Sequence, residues 1–235
     1  MKQINTSLHS YIFPNINEDG WKFVSVLAIF TLLSFTIWLP FGLFSLIITV
    51  LCYYSFRTPV RITPVLSDAV IAPVDGRIIS INKEKGPDVL GLAGKNFTKI
   101  RIFCSLFDVN ICHAPIKGKI TKLFYDQGKP FNRSFDVANI NNERLLFLMK
   151  HSQNKDFVIQ NIAPFCSKRI VSAIKNGDEL PAGKSYGFTR FGGYIDLYLP
   201  EKTEAQVCVG QTMIGGETIV ANINSDAPRI LGEIR

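Results

Sequence analysis

Gly187-Phe-Thr-Arg-Phe-Gly-Gly-Tyr-Ile-Asp-Leu-Tyr-Leu-Pro200 is the stretch on which the reading of this chain turns. From Tyr194 the residues alternate, with Ile195, Leu197 and Leu199 on one face and Asp196 and Tyr198 on the other. That period of two predicts a half-buried strand ended by Pro200. Just upstream, Phe191-Gly192-Gly193 places two glycines in succession, where a backbone can turn sharply or be approached closely.

On either side of this stretch the chain reads as many short strands. Val70-Ile-Ala-Pro-Val-Asp-Gly76 followed by Arg77–Ile81 predicts strand, tight turn and strand. Further strands are expected at Ile100–Phe107, around Ile116–Phe124, and at Arg144–Met149, Phe157–Ile162, Arg169–Ile174, Ala205–Val209 and Thr218–Ala221. Lys83–Phe97 is rich in glycine and proline and reads as a loop, and Lys129–Asn142 as a long functional loop. The expected fold is mainly β, a barrel or sandwich of short strands with Gly-rich, hammerhead-like turns. Those turns also fit a carrier-type barrel, in which Lys150, beside Met149, would be the modified lysine; a lysine ending a strand is ordinarily just solvated.

The N-terminal part has a different character. Phe23 to Tyr54 contains no charged residue, a run longer than the roughly 20 residues that span a bilayer. Pro40 and Gly42 divide it into Phe23–Leu39 and Phe41–Tyr54, which predicts an apolar helical membrane hairpin, with one long kinked helix as the rival. Lys22 before the run and Arg57 and Arg61 after it place both ends on the cytoplasmic side. The organisation expected is a polar lead-in (1–20), the membrane hairpin (21–56), a proline-containing linker (57–67), a β-rich domain (68–222) and a tail (223–235).

The 235 residues carry a net charge of +7 and are 47% hydrophobic, which suits one domain plus an appendage and an anionic membrane surface. No run of five basic residues and no zinc-finger or RNA-reading motif occurs, so nucleic acid is not an expected partner. The five cysteines, Cys52, Cys104, Cys112, Cys166 and Cys208, show no CxxC spacing. They read as reduced, buried thiols rather than zinc ligands.

Several blocks in order carry a family resemblance: Phe56-Arg-Thr-Pro59, Ala72-Pro-Val-Asp-Gly76, Asn141-Asn-Glu-Arg144, Lys168-Arg-Ile-Val171, Phe191-Gly-Gly193 with Ile195-Asp-Leu-Tyr-Leu-Pro200, and Gly210-Gln-Thr-Met-Ile-Gly-Gly-Glu217. Together they resemble the phosphatidylserine decarboxylases, in their short bacterial branch. The resemblance implies a membrane-associated enzyme of phosphatidylethanolamine synthesis at the inner membrane, acting on phosphatidylserine through a self-derived pyruvoyl group. In that family a serine attacks the carbonyl of the preceding glycine, the chain breaks, and the serine remnant becomes the pyruvoyl group. Here the serine position is Gly193 and the preceding residue is Gly192.

Gly193 has no β-oxygen, and no Gly-Ser, Gly-Thr or Gly-Cys dipeptide occurs anywhere in the chain. Thr189 and Ser185 are near in sequence, but neither follows a glycine. By resemblance Asp75 is the acidic partner of self-processing, since a serine hydroxyl needs a base and an acid to orient it. Asp75 also reads as the first residue of an Asp-Gly hairpin turn. The family's histidine base falls on Asn110, which cannot accept a proton near neutrality, and His113 is displaced by three residues. His113 reads either as a relocated base or as a structural histidine beside a proline turn; His9 and His151 look incidental. The sequence therefore predicts an uncut chain without its pyruvoyl group, and an inactive lipid-binding or regulatory relative as the alternative to a working enzyme. Homo-oligomerisation is left open.

Overall fold

The computed structural model describes residues 14–66, 68–130 and 141–224. Most of the expected functional loop (131–140), most of the tail (225–235) and the first thirteen residues lie outside the described residues. The chain divides into two compact units, Met1–Val60 and Arg61–Arg235.

The first unit is a pair of helices. α1 (Glu18–Ile37) starts where the Asn17 side chain accepts the Asp19 N–H at 3.0 Å, with Glu18 and Asp19 in the first turn. A cap oxygen and early acidic residues both satisfy the exposed N–H groups of a helix start. The helix therefore begins five residues before the expected Phe23, inside what composition suggested was an irregular lead-in. Trp38 is extended and ends it, and α2 (Leu39–Ser55) follows at once with Pro40 in its first turn. Proline is tolerated there because its missing N–H has no intrahelical partner to lose.

The two helices pack on each other, which resolves hairpin against single kinked helix in favour of the hairpin. The Thr31 and Thr49 hydroxyls meet at 2.9 Å. A β-carbon on Gly42 would lie 2.3 Å from Cδ1 of Phe35, so only glycine permits this approach. At the open end Asn17 N–H donates to the Phe56 carbonyl and Thr58 N–H to that of Asn15. Ile29, Leu32, Ile37, Leu43, Phe44 and Ile47 remain exposed on the outside. α1 is long and apolar enough to cross a membrane, and α2 is a shorter apolar helix.

The second unit contains the strands. In order they are β1 (Ala69–Ile71), β2 (Gly76–Lys85), β3 (Asn96–Cys104), β4 (Ile111–His113), β5 (Gly118–Asp126), β6 (Glu143–Lys150) and β7 (Asp156–Ala163). β8 (Ile170–Ser172), β9 (Glu179–Leu180), β10 (Ser185–Thr189), β11 (Gly193–Pro200), β12 (Thr212–Met213) and β13 (Ile219–Asn222) complete the set. They form an eight-stranded sheet ordered β12-β2-β3-β11-β7-β6-β5-β9, a three-stranded sheet β4-β10-β8 and the pair β1-β13. One apolar cluster is shared by all three: Val70, Cys112, Ile170, Tyr186 and Val220 meet Ile100, Phe147, Ile159 and Leu197. The mainly β barrel or sandwich is thus what forms.

β11, the quoted strand, lies between β3 and β7. Its expected half-burial is corrected by the structure. Asp196 is 1% exposed and Tyr198 6%, hardly more than Leu197 on the opposite face. The loop between β2 and β3 contains a 3-10 turn, Asp88–Leu90, and folds Leu90 and Leu92 into a second cluster with Phe97, Leu146, Leu148, Val158 and Tyr198. Asp196 is tolerated there because Arg101 grips both its oxygens, at 2.7 and 2.6 Å. Other strand expectations also shift, with Arg169–Ile174 shortened to β8 and Ile116–Phe124 moved to β5. β3 is Asn96–Cys104 rather than 100–107, and Ala205–Val209 reduces to a single bridge from Ala205 to Ala221.

Candidate functional site

The site is built where β10 turns into β11. Phe191 at φ 60° and Gly192 at φ 77° lie in the left-handed region, and Gly193 at φ 156° falls at its outer edge. Left-handed backbone is costly for a residue with a side chain, so Phe191 carries local strain. Gly193 opens β11 opposite Cys104 of β3. A β-carbon at Gly193 would lie 2.6 Å from the Ile162 carbonyl oxygen and 3.3 Å from Cγ2 of Thr189; one at Gly192 would lie 2.4 Å from the Cys104 carbonyl oxygen. The turn is fitted to two glycines. With no side-chain oxygen at 193 and no room for one without backbone movement, the residues present do not fit a pyruvoyl group.

Asn110 stands beside this turn. Its carbonyl accepts the Thr189 N–H at 3.0 Å, its side-chain oxygen accepts the Cys104 thiol at 3.0 Å, and its amide donates to the Asp108 carbonyl. It is thus held to Cys104, the strand partner of Gly193, and is 5% exposed. Asn110 is therefore at the turn, with its side-chain amide locked in place. Ser105 N–H bonds the Asp108 carboxylate at 2.7 Å and shapes the loop that delivers Asn110.

His113 is elsewhere. It ends β4, three residues beyond Asn110 and about 10 Å away at the usual rise per strand residue, and pairs with Ser185 rather than with the Thr189 end of β10. Its ring rests on Gly216, 3.2 Å from where a β-carbon would sit. Burial, reinforced by the positive charge of Arg61, lowers its pKa to about 4. Its Nδ1 is buried without a hydrogen-bond partner among the described residues.

Asp75 ends the turn before β2. Its carboxylate accepts the Gly215 N–H at 2.7 Å and Arg61 Nη2 at 2.6 Å. Burial raises its pKa; Arg61 and the Gly215 N–H pull the other way. Asp75 and His113 thus flank the Gly215-Gly216 turn, and no hydrogen bond joins them among the described residues. Asp75 precedes β2, which pairs with β3 on the side opposite β11, so the Asp75 and Gly193 backbones stand two strand spacings apart, roughly 10 Å. Asn110 bonds Cys104 of β3, the strand that lies between β2 and β11.

Sequence reading did not single out three participants. Arg61, in the linker, was noted only for its charge, yet it fills the Asp75 carboxylate. Glu143 is 1% exposed and accepts the Tyr125 hydroxyl at 2.7 Å and the backbone N–H groups of Arg169 and Ile170 at 2.7 and 3.2 Å. Burial and this bond push the Tyr125 hydroxyl up to about 12. Arg169 itself extends over the glycine turn: Nε donates to the Arg190 carbonyl at 2.9 Å, and Nη2 to those of Phe191 and Gly192 at 2.8 and 2.6 Å. The one signal in the sequence was its place in the Lys168-Arg-Ile-Val171 block. Lys150, the carrier-type candidate, is exposed at the end of β6, next to fully buried Met149.

Comparison with known proteins places the chain. Residues 48–221 match the family model described as phosphatidylserine decarboxylase. A phosphatidylserine decarboxylase proenzyme of Cereibacter sphaeroides is 38% identical over 228 residues, covering 97% of this chain and 98% of the relative. Those of Ruegeria pomeroyi and Rickettsia rickettsii are 38% and 40% identical, covering 88% and 94% of this chain and 95% and 94% of the relatives. The chain belongs to the phosphatidylserine decarboxylase family.

Proposed function

We propose that this family member engages phosphatidylserine at a membrane but does not open its own chain, and so acts as a lipid-binding or regulatory relative rather than as a decarboxylase. The observation that carries the reading is Gly193. The residue that would supply the nucleophile has no oxygen, and its backbone has settled into a conformation that a serine could share only under strain. Asn110, fixed by Cys104 at the position of the family's base, removes the second requirement, because an amide does not accept a proton near neutrality. Asp75 is neutralised by Arg61 instead of orienting a histidine.

The membrane part of the proposal rests on the exposed apolar faces of α1 and α2 and on Lys22, Arg57 and Arg61 at their ends. Positive residues at both ends put both on the cytoplasmic side, with the β-rich unit there too. The lipid would be recognised as an anionic headgroup by a chain of net charge +7.

The test is intact-mass measurement of the purified full chain, followed by flotation with vesicles of phosphatidylcholine with and without phosphatidylserine, and by release of carbon dioxide from carboxyl-labelled lipid. A single uncut chain that floats preferentially with phosphatidylserine and releases no label is expected. Two fragments, the C-terminal one with a blocked amine, or release of label, would overturn the reading.

A further inference from the structure

Arg169 is more than half buried yet, among the described residues, no carboxylate bonds its guanidinium. Its described side-chain bonds all go to main-chain carbonyls: Pro164 from Nη1 at 2.6 Å, Arg190 from Nε, and Phe191 and Gly192 from Nη2. Glu143, the acid bonded to its backbone, spends its oxygens on Tyr125 and on two backbone N–H groups, one of them that of Arg169 itself. It fixes where the side chain leaves the backbone without quenching the cation through a direct bond. Burial lowers the pKa of the guanidinium, yet it stays charged. Placing a charge half out of water against neutral carbonyls is costly unless negative charge develops there.

We propose that Arg169 polarises the Gly192 carbonyl in this chain and is placed to stabilise the negative charge that this oxygen takes up once position 193 carries a nucleophile. The inference rests on the family reading of the Gly192–Gly193 bond as the one that opens. When position 193 carries a hydroxyl, its oxygen bonds to the Gly192 carbonyl carbon and the former carbonyl oxygen becomes an oxyanion, 2.6 Å from Nη2 in the present geometry. Collapse breaks the C–N bond, and the hydroxyl proton ends on the freed amine. Loss of the α-proton then breaks the Cβ–O bond, and Gly192 leaves as a carboxylate facing the same guanidinium. One cation thus serves both the oxyanion and the leaving group. In the present chain the clamp is in place and the nucleophile is missing.

The test has two arms. In the unaltered full chain, glycine labelled with 13C at the carbonyl and 15N at the amide reports only the Gly192–Gly193 and Gly215–Gly216 pairs. Arg169→Lys and Arg169→Gln should move the Gly192 carbonyl resonance upfield and leave that of Gly215 in place; an unmoved Gly192 resonance overturns the proposal. Should neither variant fold, the unaltered chain labelled at arginine side-chain nitrogens decides. Slowly exchanging Arg169 guanidinium protons correlated to the Gly192 carbonyl support the proposal, and a freely exchanging group overturns it. In the second arm, the chain carrying Gly193→Ser and Asn110→His is assayed for self-cleavage. Arg169→Gln should slow it by about 10²–10³-fold, as loss of an oxyanion donor does, with partial recovery on adding guanidinium ions. Unchanged cleavage overturns the proposal. If the restored chain does not cleave at all, the reading of Asn110 and Gly193 fails, and the carbonyl resonance still judges Arg169.

Discussion

The Cys104 thiol donates to the Asn110 side-chain oxygen across 3.0 Å, and Cys104 is the residue paired with Gly193. Asn110 is thus tied, through one thiol, to the strand residue facing Gly193. Asn110 and Gly193 are therefore neighbours in space.

This contact sets the outcome of rescue. Gly193→Ser alone should leave the chain uncut, because His113 lies three residues beyond Asn110 and is turned to Gly216. Adding Asn110→His should allow cleavage between residues 192 and 193, since a general base contributes about 10²–10⁴-fold. Mass spectrometry after prolonged incubation reads the result; cleavage of Gly193→Ser alone that disappears with His113→Ala would make His113 the base.

The same substitution should also cost stability. A β-carbon at 193 would meet the Ile162 carbonyl at 2.6 Å. Strained backbone positions cost on the order of 1–3 kcal/mol, so Gly193→Ser should lower the melting temperature of the uncut chain. A melting temperature equal to the parent's would mean that β7 yields freely at Ile162.

His113 gives the fold a pH dependence. Its pKa is lowered to about 4 in the folded chain, against roughly 6.5 when unfolded. Between those values the unfolded state binds more protons, so stability is fully present above about pH 6.5 and is lost as pH falls towards 4. At about 1.4 kcal/mol per unit the loss approaches roughly 3 kcal/mol. Asp75, raised by burial, acts in the opposite sense over the pH range just above the ordinary carboxylate value. The comparison that isolates His113 is therefore denaturation of the parent and of His113→Gln from pH 7 to 4.5. The parent should lose more stability, and parallel curves would remove His113 as the cause.

Asp196→Ala should be among the most damaging single changes away from the site. It leaves Arg101 without the carboxylate that takes two of its N–H groups, against a strand buried on both faces. Breaking a buried pair from one side costs about 3–5 kcal/mol. Urea denaturation of the full chain in detergent measures it; a loss below 1 kcal/mol would place the pair effectively in solvent.

Membrane association should follow α1 and α2. After lysis without detergent the full chain should sediment with membranes, and a chain beginning at Arg57 should stay in the supernatant. Gly42→Leu should disrupt the helix pair, because the Phe35 ring occupies the space a side chain needs. Full chain in the supernatant would end the hairpin-anchor reading.

By itself the sequence determined the periodicities and the missing atom. Alternation at 195–199, the uncharged run 23–54 and Pro40 are local properties, and local properties decide strand, helix and break. The absence of an oxygen at Gly193 is likewise legible without a fold. The tertiary structure decided what depends on residues distant in the chain. Alternation could not reveal that the outer face of β11 is covered, because Leu90 and Leu92 arrive from a glycine-rich loop about a hundred residues earlier. Nor could spacing say that Asn110 rather than His113 stands at the glycine turn, or that Arg61 rather than a histidine meets Asp75. Register between strands fixes those meetings, and register is set by the packing of the whole sheet, with a one-residue slip reversing every face. The Arg169 clamp on Gly192 belongs to the same class: its donors and acceptors lie 23 positions apart and meet only because the chain ahead of β8 passes under the turn before β11.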